Sequence, residues 1–151
     1  MPNTQTMDAR KEITEIVNRE TRAFDTQDID LFLNIVHPDM VWPWPPNANA
    51  HDPIEWVLPW GKFNYQRWHE YFEKFFEKYN LVHNSRTIEN IVISSEEDGA
   101  FAVVDVDTLW ESRTGDELHW VGRTCKIYTT VRMKQWKLIA QVGILDYSSF
   151  K

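Results

Sequence analysis

The stretch AFAVVDVDTLWESRTGDELHWVGRTCKIY, residues 100–128, alternates its side chains through two long runs separated by one polar cluster, Ser112 to Glu117. In an extended chain, successive side chains point to opposite faces. Ala102, Val104, Val106, Thr108 and Trp110 therefore share one face, and Phe101, Val103, Asp105, Asp107 and Leu109 share the other. In the second run His119, Val121, Arg123, Cys125 and Ile127 alternate with Trp120, Gly122, Thr124, Lys126 and Tyr128. This is the signature of an antiparallel hairpin. Polar clusters at Ser94 to Gly99 and at Arg132 to Gln135 add a run on each side, the last one setting Leu138, Ala140, Val142 and Ile144 against Ile139, Gln141 and Gly143. A four-strand antiparallel meander results. Its runs of about 10–14 residues are longer than the usual 5 or 6, which predicts a strongly curved sheet. Both faces carry apolar residues, so one face is expected to pack helices and the other a second copy of the chain, giving a homodimer.

Upstream the period changes from two to that of a helix. Between Asp8 and Thr26 apolar residues fall at Ile13, Ile16, Val17 and Phe24, and the same spacing places Glu20 on that stripe. Asp28 is a candidate N-cap for a second helix carrying Ile29, Phe32, Leu33 and Val36, which Pro38 should end. Met40 to Trp44 reads as a short strand. Five of the seven prolines lie between 43 and 59, and the segment Pro43 to Lys62 reads as a lid. Asn64 can cap a third helix to Tyr79, with Tyr65, Trp68, Phe72, Phe75, Phe76 and Tyr79 on one aromatic face.

The 151 residues suit one domain, 1–151, with 42% hydrophobic and 26% charged side chains. Sixteen Lys and Arg against 23 Asp and Glu leave a net charge of −7, which argues against a nucleic-acid partner. No run approaches the roughly 20 apolar residues of a membrane span, and no signal peptide is read at the N-terminus. Cys125 is the sole cysteine, so no intrachain disulfide can form and a reduced, cytoplasmic setting is expected.

Two helices, a strand, a loop, a third helix and a long meander resemble the nuclear transport factor 2-like superfamily. The most specific piece, Trp120-Val-Gly-Arg123-Thr-Cys-Lys-Ile-Tyr128 followed by Gln135-Trp136-Lys-Leu-Ile139, is similar to the last two strands of its SnoaL-like, ketosteroid-isomerase-related branch. Phe24-Asp-Thr-Gln-Asp28-Ile-Asp30-Leu-Phe32 and His37-Pro-Asp39-Met-Val-Trp42 are similar to its helix pair and first strand. The resemblance implies an α+β cone-shaped roll: three N-terminal helices packed on a strongly curved, mixed but mainly antiparallel sheet, with a pocket between them. It implies a small-molecule-binding protein with an apolar cyclic or aromatic ligand, and isomerase, cyclase or dehydratase chemistry without a cofactor. The alternative is a non-catalytic binding or oligomerisation domain. Counted from Pro45 and Asp28, the base aspartate and oxyanion tyrosine of steroid isomerases fall on Trp44 and Glu20. An indole cannot accept the proton, so the usual isomerase groups are not reproduced.

The residues themselves supply candidates. Trp42, Trp44, Trp56, Trp60 and Trp68, together with Trp110, His119 and Arg123, are read as the pocket lining, the competing reading being that the rings close the core. Glu20 is the candidate catalytic carboxylate: burial should raise its pKa, whereas pairing with Arg123 would lower it. Asp105 and Asp107 share a strand face as a carboxylate pair or a solvated one. The five histidines, His37, His51, His69, His83 and His119, show no HxH or HExxH spacing, so no metal is expected. No GxGxxG, P-loop or GxSxG motif occurs, and no cofactor is expected.

Overall fold

Residues 2–41, 65–130 and 134–145 are described by the computed structural model, so the expected lid and Trp42, Trp44, His51, Trp56 and Trp60 lie outside the described residues. Three helices, α1 (Pro2–Asp25), α2 (Ile29–Ile35) and α3 (Tyr65–Lys78), pack on a sheet of five strands. These are β1 (Val36–Val41), β2 (Tyr79–Ile93), β3 (Gly99–Ser112), β4 (Glu117–Thr129) and β5 (Lys137–Leu145). The spatial order is β1-β5-β4-β3-β2, with β1 parallel to β5 and the other pairs antiparallel. The sheet is open and mixed, and the fold is α+β.

Local chemistry explains each boundary. Asp28 caps α2 as its side chain accepts a 3.0 Å hydrogen bond from the Leu31 amide. The helix ends at Ile35, and β1 begins at Val36 instead of Met40, so Pro38 sits inside a strand. It is tolerated because β1 is an edge strand, where a missing N–H need not break a ladder. Between β3 and β4, Gly115 takes φ 92°, a conformation costly for any side chain with a Cβ. Gln27, at φ 52°, turns the chain between α1 and α2 and donates to the carbonyls of Phe76 and Tyr79 at 3.3 and 3.2 Å. The α1–α2 corner is thereby tied to the end of α3.

The alternation read from the sequence is realised in β3: Ala100, Ala102, Val104, Val106, Thr108 and Trp110 are buried under the helices, and the intervening residues face outward. It breaks in β5. A register shift between Ile127 and Tyr128 lets both Leu138 and Gln141 turn inward, so Leu138 and Val142 do not share a face as expected. An inserted residue reverses side-chain direction locally. Helix α3 lays its aromatic stripe into the core: Phe72 lies 4.9 Å from Phe32 and 5.8 Å from Phe24, and Phe75 lies 4.9 Å from Trp110, all in edge-on contacts.

Candidate functional site

Glu20 is the meeting point of the interior. It lies one turn before Phe24 on the buried stripe of α1 and is 2% exposed. Its Oε2 accepts from Lys126 Nζ at 2.8 Å and from Arg86 Nη1 at 2.9 Å, and its Oε1 accepts from Lys126 Nζ at 3.1 Å. Lys126 also donates to Gln141 Oε1, its cross-strand partner on β5. Arg86 comes from β2, donates from Nε to Asn84 Oδ1 at 3.1 Å, and holds its guanidinium 5.1 Å from the Phe24 ring centre. Asn84 Oδ1 in turn accepts from Thr108 at 2.7 Å. Residues of α1, β2, β3, β4 and β5 are thus joined in one hydrogen-bonded network around this carboxylate, which Lys126 and Arg86 contact directly.

Two cations share that single negative charge, and the protonation equilibria follow from it. Burial by itself would raise the Glu20 pKa, but the charges and hydrogen bonds of Lys126 and Arg86 outweigh it and hold the pKa below the ordinary value. Burial lowers the Lys126 pKa, and the neighbouring Arg86 charge works the same way against the attraction of Glu20. With Lys126 protonated, two buried cations face one carboxylate, and the lowered Lys126 pKa is the direction that relieves this excess. Two residues along β4, Tyr128 is fully buried, and its hydroxyl finds no hydrogen-bond partner among the described residues. Burial, then the Glu20 charge, raises its pKa well above the usual phenol range.

Beside the charges lies an aromatic wall. Trp110 is completely buried against Phe24, Phe75, Phe76 and Trp120, with ring centres 4.9–6.1 Å away. The indole N–H groups of Trp110 and Trp120 find no acceptor among the described residues. Trp68 stacks on Phe72 at 5.6 Å with an interplanar angle of 21°. Phe24 belongs to both regions and joins the wall to the charged group. A separate groove of about 310 Å³ runs outside this interior, between α1 and the start of β5, and is lined by Glu12, Arg19 and Lys137 among others.

His119 and Arg123 lie on the outer face of the sheet, across from Trp110 and Lys126, so the expected pocket residues are not brought to one place. Arg123 is bound to Asp105 by a two-pronged pair at 2.7 and 3.0 Å, and the partners of Glu20 are Lys126 and Arg86 instead. Asp105 and Asp107 share this outer face, and each has a cationic or imidazole neighbour. Asp107 Oδ1 receives His83 Nε2 at 2.8 Å and His119 Nε2 at 2.6 Å. Hydrogen bonding from the Arg123 guanidinium lowers the Asp105 pKa, and bonding from the two imidazoles lowers that of Asp107. Sequence reasoning missed Arg86, Lys126, Gln141 and Tyr128 as functional candidates. The signal was available for Lys126, because alternation already set it on the face of Thr124 and Tyr128.

Neither a family model nor a curated protein matches the chain. Solved structures do. A nuclear transport factor 2-like superfamily protein from Salmonella enterica superposes with a TM-score of 0.64 at 17% identity, covering 91% of each chain. A ketosteroid isomerase-like protein from Erwinia carotovora atroseptica gives 0.64 at 14% identity, over 87% of this chain and 91% of the other. A type 2 hexachlorocyclohexane dehydrochlorinase gives 0.67 at 14% identity, over 96% of this chain and 90% of the other. No helix among the described residues is long and apolar enough to cross a membrane. Three helices on an open, mixed five-strand sheet are thus a fold that this chain shares, over nearly its whole length, with a structure named as a nuclear transport factor 2-like superfamily protein and with the two others.

Proposed function

We propose that this protein binds a small cyclic or aromatic molecule in its cone and meets an anionic or oxyanion group of that ligand with the surplus positive charge around Glu20. One observation carries the reading: Lys126 and Arg86, 1% and 5% exposed at their side chains, share a single carboxylate. A buried excess cation is costly unless it loses a proton or gains a second anion. An aromatic wall adjoining that charge suits a flat apolar body with one acidic group. The Tyr128 hydroxyl is a further donor on the same side of β4. Donors held in a dry site stabilise negative charge that develops on oxygen, the shared requirement of isomerisation, cyclisation and dehydration through enolate-like states. Neighbours named as isomerase-like and dehydrochlorinase are consistent with such chemistry on this fold. The lone Cys125 fits a reduced cytoplasmic setting.

The competing reading is a non-catalytic binding or assembly domain, favoured by the way Trp68 and Trp110 pack against their neighbours. Tryptophan fluorescence separates the two. Titration with 1-naphthoate and with neutral 1-naphthalenemethanol should show the anion binding about tenfold tighter or more, about 1.4 kcal/mol. Lys126→Met, which leaves Glu20 balanced by Arg86, should abolish the difference. Equal affinity for the two probes, or binding of neither, would support the assembly domain.

A further inference from the structure

The geometry points to a divalent transition-metal site on the outer face of the sheet, built from His83, Asp107 and His119. The three residues come from adjacent strands β2, β3 and β4, and both His83 and His119 stand beside Leu109, the residue two along from Asp107. Strand pairing therefore brings together ligands separated by 24 and 12 positions in the chain. Both Nε2 atoms aim at one carboxylate oxygen, at 2.8 and 2.6 Å, and the three donor atoms lie within 4.8 Å of one another. Bonds of about 2.0–2.2 Å from zinc to nitrogen or oxygen set neighbouring donors about 3 Å apart. Two of the three spacings are thus already close to what an ion requires. A side-chain rotation that brings the imidazoles together would close the third, and at 44–53% side-chain exposure these residues have room to make it.

The donor set selects the ion class. Two neutral imidazoles and one carboxylate favour zinc or iron(II) over magnesium or calcium, which prefer all-oxygen shells. Three ligands from one chain also leave coordination positions open. The surroundings favour a cation: Glu111 and Glu117, register partners on the same face, stand just beyond the site along β3 and β4, while Arg123 is neutralised by Asp105. The rings of His83 and His119 are 5.8 Å apart and perpendicular, so they approach the carboxylate from separate directions and do not stack. An ion here would link three neighbouring strands and add to the stability of the sheet.

This site is independent of the interior reading, because it occupies the opposite face of the sheet. The test is calorimetric titration of chelator-stripped protein with zinc chloride, alongside His83→Gln, His119→Gln and the double variant. The intact chain should bind one zinc per chain and melt at a higher temperature with zinc than without. Each single variant should bind about tenfold more weakly or worse, and the double variant should show no saturable binding. Melting of the metal-free variants checks their fold; if His119→Gln fails to fold, His83→Gln and Asp107→Asn decide. Excess magnesium should leave zinc affinity unchanged. Absence of saturable binding, binding retained by the double variant, or equal competition by magnesium would each overturn the assignment.

Discussion

Replacing Glu20 by Gln removes the one negative charge that Lys126 and Arg86 share, leaving buried cations uncompensated. Chemical denaturation at neutral pH should show a loss of about 3–5 kcal/mol. Lys126→Met leaves Glu20 paired with Arg86 and should cost far less. The pH dependence has a definite sign. Because the folded chain holds the Glu20 pKa below its ordinary value of 4.5, the stabilisation is present above that value and is lost as pH falls through the folded pKa. For Lys126, also depressed in the folded chain, stability should rise between its folded pKa and 10.5, where only the unfolded chain still holds the proton. Urea midpoints across both windows check these slopes, and Glu20→Gln should flatten the acid limb. Helical spacing was enough to place Glu20 on a buried stripe. It could not supply the direction of its pKa, because the partners that reverse the effect of burial lie 66 and 106 residues away.

The third helix and the β3 strand were legible as elements because their periods are strong and local: an aromatic at each turn of α3, and an inward apolar residue at nearly every second position of β3. Phe72 contacts Phe24, Phe32, Trp68, Tyr71, Phe75 and Phe76, so Phe72→Ala should cost about 3–5 kcal/mol in denaturant unfolding. Gln27→Ala should cost about 1–2 kcal/mol, since the carbonyls of Phe76 in α3 and Tyr79 at the start of β2 lose their donor. A two-state thermal melt with unchanged far-UV circular dichroism would show that the corner is weakened without loss of the helices. The irregularity in β5 was not legible. Its register shift is set by pairing with β4 on one side and β1 on the other, and alternation along a single strand carries no record of either neighbour.

At the scale of the molecule, the outer face of the meander leaves Phe101 and Val142 48% and 37% exposed. We propose that this face pairs with a second copy of the chain, since an apolar patch on a curved sheet is a common interface. Light scattering at micromolar concentration should give a dimer mass, and Phe101→Glu should shift it to the monomer. A monomer in the unsubstituted protein would remove the proposal. The zinc stoichiometry of one per chain holds in either state, because all three ligands belong to one chain.

The sequence by itself determined the order of helices and strands and the division of β3 into two alternating faces, because each is written in periodicity and local turn chemistry; which of those faces turns inward was decided by the packing of the helices. Only the tertiary structure decided which ionic groups meet: Glu20 with Lys126 and Arg86 beneath the helices, and Asp105 with Arg123 and His83 with Asp107 and His119 on the outer face of the sheet. Hydrophobic burial selects a fold through many interchangeable contacts, so pattern alone reveals it. A charged or ligating group depends on a few partners at about 3 Å, and the chain folding back across distant strands sets those distances.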